Sequence, residues 1–193
     1  MLEQAVRWPI DPDDIKLRRS DRVMTRLPGL LARAAPRFIA EPAGSRLRRW
    51  IIDRAMLTGF AATDSGDWDY LSNLYESDVQ LRIEPDATVP GFPAISEGYE
   101  SLKALMQEAV SLFREFDSVP AEIIDLGGPH FAARVEHGYK ATYSGLEGSG
   151  GYVYMYEISE RGRCSRQWWA KDLTGAAAFY GERLEEIEAA ERA

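Results

Sequence analysis

From Ser45 to about residue 113 apolar residues recur at helical spacing, and from about residue 119 they alternate. The pattern therefore predicts helices first and a sheet second. SRLRRWIIDRAMLTGFAATD opens on Ser45, a good N-cap. Its stripe of Leu47, Trp50, Ile51, Ala55, Thr58 and Ala62 is widened by Ile52, Met56 and Phe60, so a long helix buried on more than one side is expected. Asp64, Ser65 and Gly66 interrupt it. Asp67 can cap a shorter helix over WDYLSNLY, with Trp68, Leu71, Leu74 and Tyr75 on one broad face. VQLRIEP after Asp78 alternates as a short strand, PDATVPGFPAISEG reads as a loop, and YESLKALMQEAVSLF as a third helix.

Beyond it, VPAEIIDL, HFAARVEHGYKATYSG, GYVYMYEIS and RCSRQWWAKDL read as strands separated by LGGP, GLEGSGG and ERGR. Alternation puts Tyr152, Tyr154, Tyr156 and Ile158 on one face, and Val153, Met155 and Glu157 on the other. TGAAAFYGERLEEIEAAERA closes the chain as a final helix. Helices gathered before a mainly antiparallel sheet define an α+β protein. In RQWWAKD the two tryptophans must face opposite sides of the sheet, so both sides need apolar cover.

Charge adds a boundary. Residues 1–54 are net +5 and residues 55–193 net −13, within a total of −8 over 193 residues. The front, residues 1–44, reads as a basic helical arm. DPDDIKLRRSDRVMTRL has an N-cap at Asp11 and Pro12 at the first helical position, and Leu17, Val23, Met24, Leu27, Leu30, Leu31, Phe38 and Ile39 sit among the arginines. Such an arm suits a strap over the acidic remainder, residues 45–193, better than an external nucleic acid or lipid partner, so neither nucleic acid nor membrane is expected. The N-terminus lacks a basic-then-apolar leader, and no apolar run is long enough to span a membrane, so the expectation is a cytoplasmic protein. Cys164 is the only cysteine and there are two histidines, His130 and His137, with no metal-ligand spacing; no metal and no cofactor are expected.

Three segments, GFAATDSGDWDYLSNLYESDVQLRIEP, EGYESLKALMQEAVSLF and ISERGRCSRQWWAKDLTGAAAF, resemble the SnoaL-like branch of the nuclear transport factor 2-like superfamily, which includes polyketide cyclases and ketosteroid isomerase. The resemblance spans about residues 50 to 180. It implies a cystatin-like cone, in which a curved, mainly antiparallel sheet wraps around helices, with a pocket between sheet and helices and commonly a homodimer through the outer sheet face.

The resemblance also implies that Arg166, Trp168, Ala170 and Asp172 face the pocket, with Asp172 the candidate base and Trp169 outside, covered by a second subunit or the arm. Arg134 and Glu136 share a face and could form a polarising pair. His137 lies on the opposite face and would suit proton transfer; which of these faces is inward stays open. Trp68, Tyr75 and Tyr154 are candidate pocket walls. The Asp-Arg-Asp set of limonene-epoxide hydrolase and the paired pocket histidines of scytalone dehydratase have no counterparts at recognisable positions. Two functions remain. The first is a non-catalytic module that binds a small hydrophobic molecule or supports assembly. The alternative is an isomerase, cyclase, dehydratase or hydrolase using acid/base chemistry on an apolar ring-containing substrate.

Overall fold

The computed structural model describes residues 5–16, 21, 28–87, 92–175 and 178. Its described elements are β1 (Val6–Pro9), α1 (Pro28–Ala40), α2 (Arg46–Asp64), α3 (Trp68–Leu71), β2 (Tyr75–Ile83), β3 (Ile95–Glu97), α4 (Tyr99–Ser111), β4 (Phe113–Gly127), β5 (His130–Ala141), β6 (Glu147–Ile158) and β7 (Cys164–Ala170). The expected C-terminal helix, and most of the helix expected from Asp11, lie outside the described residues.

The strands form one sheet in the order β1-β4-β5-β6-β7-β2-β3. Among the described pairs only β2 with β7 is parallel. The sheet curls because its long strands are bulged: β4 shifts register against β5 between Phe113 and Glu115, between Pro120 and Glu122, and between Asp125 and Gly127. Pro120, which has no N–H to donate, sits at one of these shifts. Helices α2 and α4 fill the concave side around Ile52, Met56, Phe60, Leu102 and Leu105, which meet Ile123, Phe131, Ala133 and Val135 of the sheet. No helix among the described residues is long and apolar enough to cross a membrane.

Both expected caps form: Ser45 Oγ accepts from the Arg48 N–H at 3.3 Å, and Asp67 Oδ1 from the Tyr70 N–H at 3.1 Å. Ile52, Met56, Thr58, Phe60 and Ala62 of the expected face of α2 are buried; its first turns are rotated, so that Arg48 is inside, Leu57 joins the core and Trp50 is 54% exposed. Arg48 sets this rotation. It is fully buried, pairs with Asp125 of β4 at 2.6 Å, donates to the carbonyls of Phe38, Gly128 and His130, and lies 4.1 Å from the Phe38 ring centroid.

The segment before Ser45, expected to be helical, also supplies the edge strand β1. Trp8 is buried there and its indole N–H donates to Asp53 at 2.6 Å. Strand β6 begins at Glu147, inside the stretch expected as a turn. A side chain at Gly148 would collide with Tyr139, whose hydroxyl lies 2.5 Å from where a Cβ would sit, so the glycine lets that ring lie across the strand.

At the β6–β7 turn, Gly162 has φ +78°, and a Cβ there would stand 2.7 Å from the Leu31 carbonyl oxygen of α1. Gly162→Ala is therefore expected to cost about 2 kcal/mol, seen as a lower urea midpoint with an unchanged slope.

Candidate functional site

The concave side is not fully packed. A cavity of about 590 Å³ remains between the sheet and helices α2 and α4. Strand alternation builds its walls. On β5, Phe131, His137 and Tyr139 turn inward; on β6, Tyr152, Tyr154, Tyr156 and Ile158; and on β7, Gln167 and Trp169. Tyr154 is the cross-strand partner of Trp169 and their rings stack at 5.0 Å, while Phe131 stacks on Tyr156 at 5.0 Å. Met56 and Phe60 of α2, Met106 of α4, and Phe113 and Phe116 of β4 complete an apolar enclosure. It opens where the exposed Asp64, Val110 and Asp117 line it.

Few polar groups interrupt this surface. His137 is 6% exposed, its Nε2 lies 2.9 Å from the Tyr154 hydroxyl, and its ring stacks on Phe116 at 5.3 Å. Burial lowers the His137 pKa to about 4 against the opposing pull of Asp117, so the imidazole is neutral at pH 7. Its Nδ1, like Nε1 of Trp169, is enclosed without a hydrogen-bond partner among the described residues. Nearby, the Tyr75 hydroxyl donates to Gln167 Oε1 at 3.3 Å. Burial raises the pKa of Tyr75 and Tyr154 well above that of an ordinary phenol, and they stay protonated. Burial also raises the Cys164 thiol, which donates to the Arg166 carbonyl at 3.2 Å and is an unreactive part of the wall. At the opening, burial and then the charge of Asp117 raise the pKa of Asp64.

Of the residues singled out from sequence, His137, Tyr75 and Tyr154 meet at the cavity, and the others do not. Trp168 is on the outer face of β7, 2% exposed, and packs with Ile124, Ala132, Val153 and Met155. The two tryptophans thus exchange the places expected for them. The register pairs Tyr154 with Trp169 and Met155 with Trp168, and the inward tyrosine face carries Trp169 with it.

The outer tryptophan is already buried in the single chain and needs no second subunit to cover it. Arg166 is likewise outside, 3.6 Å from Glu157. Asp172 is exposed beyond the strand end and accepts from the Gly175 N–H at 2.8 Å, a helix-capping contact. Arg134 and Glu136 face solvent, Arg134 lying 3.8 Å from Glu122, because the inward parity of β5 belongs to Val135 and His137. Trp68 packs against the core without lining the cavity; its carbonyl accepts from the Tyr99 hydroxyl at 2.7 Å.

Sequence reasoning missed Trp169, Gln167, Phe113, Phe116, Asp64 and Asp117. The helical-looking run ends on Phe113, the first residue of β4, which with REFDS after it conceals the start of that strand, and the tyrosine stripe paired across to β7 was the available signal for Trp169. No group of three or more His, Cys, Asp or Glu side chains able to hold a metal ion occurs among the described residues.

No protein-family model and no curated protein matches the chain. Solved structures do. A SnoaL-like protein from Jannaschia sp. CCS1 superposes with a TM-score of 0.56 at 12% identity, covering 71% of this chain and 95% of that one. A nuclear transport factor 2-like protein from Burkholderia pseudomallei K96243 gives 0.54 at 15% identity, covering 62% and 88%. TerC, co-crystallised with polyporic acid, gives 0.53 at 16% identity, covering 66% and 94%. With its curled open sheet, inner helices and cavity between them, the chain has the nuclear transport factor 2-like fold, the cone of SnoaL-like proteins.

Proposed function

We propose that this protein binds a small, apolar, ring-containing molecule inside the cone. The observation that carries the reading is the cavity itself: about 590 Å³, walled by aromatic and aliphatic side chains, with a few polar groups placed among them. The size suits a molecule of a few fused or linked rings. Stacked pairs such as Tyr154 with Trp169 offer flat faces to such rings. The enclosed Trp169 Nε1–H, without a partner among the described residues, would complement a carbonyl or hydroxyl oxygen after a small shift of the wall. TerC, a protein of the same fold, was co-crystallised with polyporic acid, which is in keeping with this reading.

A second reading is an enzyme performing isomerisation, cyclisation, dehydration or hydrolysis by acid/base chemistry. The hydrogen bond between His137 and Tyr154 favours it, since a neutral imidazole in an apolar site can accept a proton. An imidazole held near pKa 4 is a weak base, and binding therefore stands first.

The test is a thermal-shift panel of steroid-like, polyketide-like and terpene-like compounds, with each positive compound then followed for turnover. A ligand at a hundred times its Kd should raise Tm by about 5–10 °C. Gly59 lines the cavity on α2 with its nearest neighbour, Leu74, 3.9 Å from where a Cβ would sit. Gly59→Leu should narrow the cavity and reduce the shift of the larger ligands while the variant itself stays folded. A shift left unchanged by Gly59→Leu for every compound would place the ligand elsewhere, and conversion of a bound compound would move the assignment to the enzyme.

A further inference from the structure

We propose that the ligand presents an uncharged carbonyl oxygen to Gln167 and Tyr156, a pair of donors at the inner end of the cavity. The proposal rests on the reading of the cavity as a small-molecule site and specifies the group which that site recognises. Gln167 of β7 and Tyr156 of β6 are cross-strand partners, and both line the cavity. Gln167 is 3% exposed and Tyr156 8%. Yet neither the Gln167 amide nitrogen nor the Tyr156 hydroxyl has a hydrogen-bond partner among the described residues. Unlike His137 Nδ1 and Trp169 Nε1, neither is sealed by the wall, so their donor hydrogens meet the cavity.

Their neighbours fix them in this sense. The Tyr75 hydroxyl donates to Gln167 Oε1 at 3.3 Å, which occupies the acceptor end of the amide and leaves Nε2 with two N–H donors. The Tyr156 ring is held by its stack on Phe131 at 5.0 Å. Burial keeps the Tyr75 and Tyr156 hydroxyls protonated, so Tyr156 is a donor and not a phenolate. A carbonyl oxygen has two lone pairs and takes both donors at once. A plain hydrocarbon seated here would leave them stranded away from water. A carboxylate would exchange its hydration for neutral donors only, since no Lys or Arg stands among the described lining residues. The pair also lies far from the opening. Asp117 is level with Gly138 of β5 and Tyr156 with Phe131, seven residues along that strand, roughly 23 Å of extended chain. The oxygen therefore enters first, and the rings behind it lie along the stacked Tyr154 and Trp169.

The experiment compares three probes that share one ring system: 1-tetralone, the hydrocarbon tetralin and anionic tetrahydro-1-naphthoate. Each is titrated calorimetrically into the full chain and into Gln167→Met, Tyr156→Phe and the double variant. The wild-type chain should bind 1-tetralone about tenfold more tightly than tetralin, the effect of two net hydrogen bonds, with tetrahydro-1-naphthoate weakest. The preference should fall to about threefold in either single variant and vanish in the double one, while tetralin binds the variants at least as tightly as wild type. In the infrared, the carbonyl stretch of bound 1-tetralone should move to higher frequency as each donor is removed. Tyr156→Phe keeps the ring and its stack, so the comparison stands even where Gln167→Met fails to fold. Equal affinity of 1-tetralone and tetralin for wild type, tightest binding of the anion, or a preference that neither substitution lowers would overturn the carbonyl inference and leave the cavity reading standing. No binding by any of the three would remove both.

Discussion

Arg48→Met should destabilise the protein by about 3–5 kcal/mol and lower Tm by about 10 °C or more, the largest single-residue effect expected in this chain. The guanidinium and the Asp125 carboxylate are both fully buried. Removing the arginine strands an anion whose remaining donors are the backbone N–H groups of Gly44, at 2.8 Å, and Gly127, at 3.0 Å. Arg48→Lys should recover less than half of the loss. A single ammonium cannot reproduce a fork that bonds both carboxylate oxygens while also reaching the Phe38 and Gly128 carbonyls. The double variant Arg48→Met/Asp125→Leu should be less damaged than Arg48→Met alone, because it removes the stranded charge as well as its partner. Urea melts of wild type, Arg48→Met, Asp125→Leu and the double variant give the coupling energy. Single-variant losses that simply add would mean that the two side chains act independently.

This arrangement explains where sequence reasoning stopped. In SRLRRWIIDRA the apolar stripe places Trp50 inward and Arg48 outward, and nothing local says otherwise. The decision belongs to Asp125, 77 residues away, which turns the helix to satisfy one buried pair. The same limit governs β7. Alternation correctly put the two tryptophans on opposite faces, and the tyrosines of β6 on one. Choosing the inward tryptophan required the pairing of Tyr154 with Trp169, a fact of register that neither strand contains alone. From Ser45 on, the order of helices and strands apart from β3, the caps at Ser45 and Asp67, and the grouping of the β6 tyrosines on one face were legible because each depends on residues within a few positions. The cavity opening was not, because Asp64 ends a helix and Asp117 lies on a strand that begins inside a helical-looking run, and only the curl of the sheet places both along one cavity.

Acidification from pH 7 to pH 4 should cost the wild-type protein about 3 kcal/mol through His137 alone, and His137→Gln should lack that component. The folded pKa is about 4 against 6.5 for a free histidine. Above pH 6.5 the side chain is neutral in both states and contributes no pH dependence. Between 6.5 and 4 the unfolded chain takes up a proton that the folded chain refuses, so stability falls through that window and levels off below it. The groups facing the ring set the sign: burial beneath Phe116, Tyr152 and Tyr154 disfavours the imidazolium more than the charge of Asp117 favours it. Asp64 works in the opposite direction, because its raised pKa lets the folded chain bind a proton before the unfolded one does. The informative quantity is therefore the difference between wild type and His137→Gln, read from urea midpoints at half-unit steps of pH. Gln keeps a polar group within reach of Tyr154, so the variant's stability at pH 7 should change little compared with its altered slope. Parallel pH profiles would mean that His137 takes up its proton in the folded state as readily as in water. In that case the site would hold an imidazolium at mildly acidic pH, and burial beneath the aromatic rings would not be what sets the state of the ring.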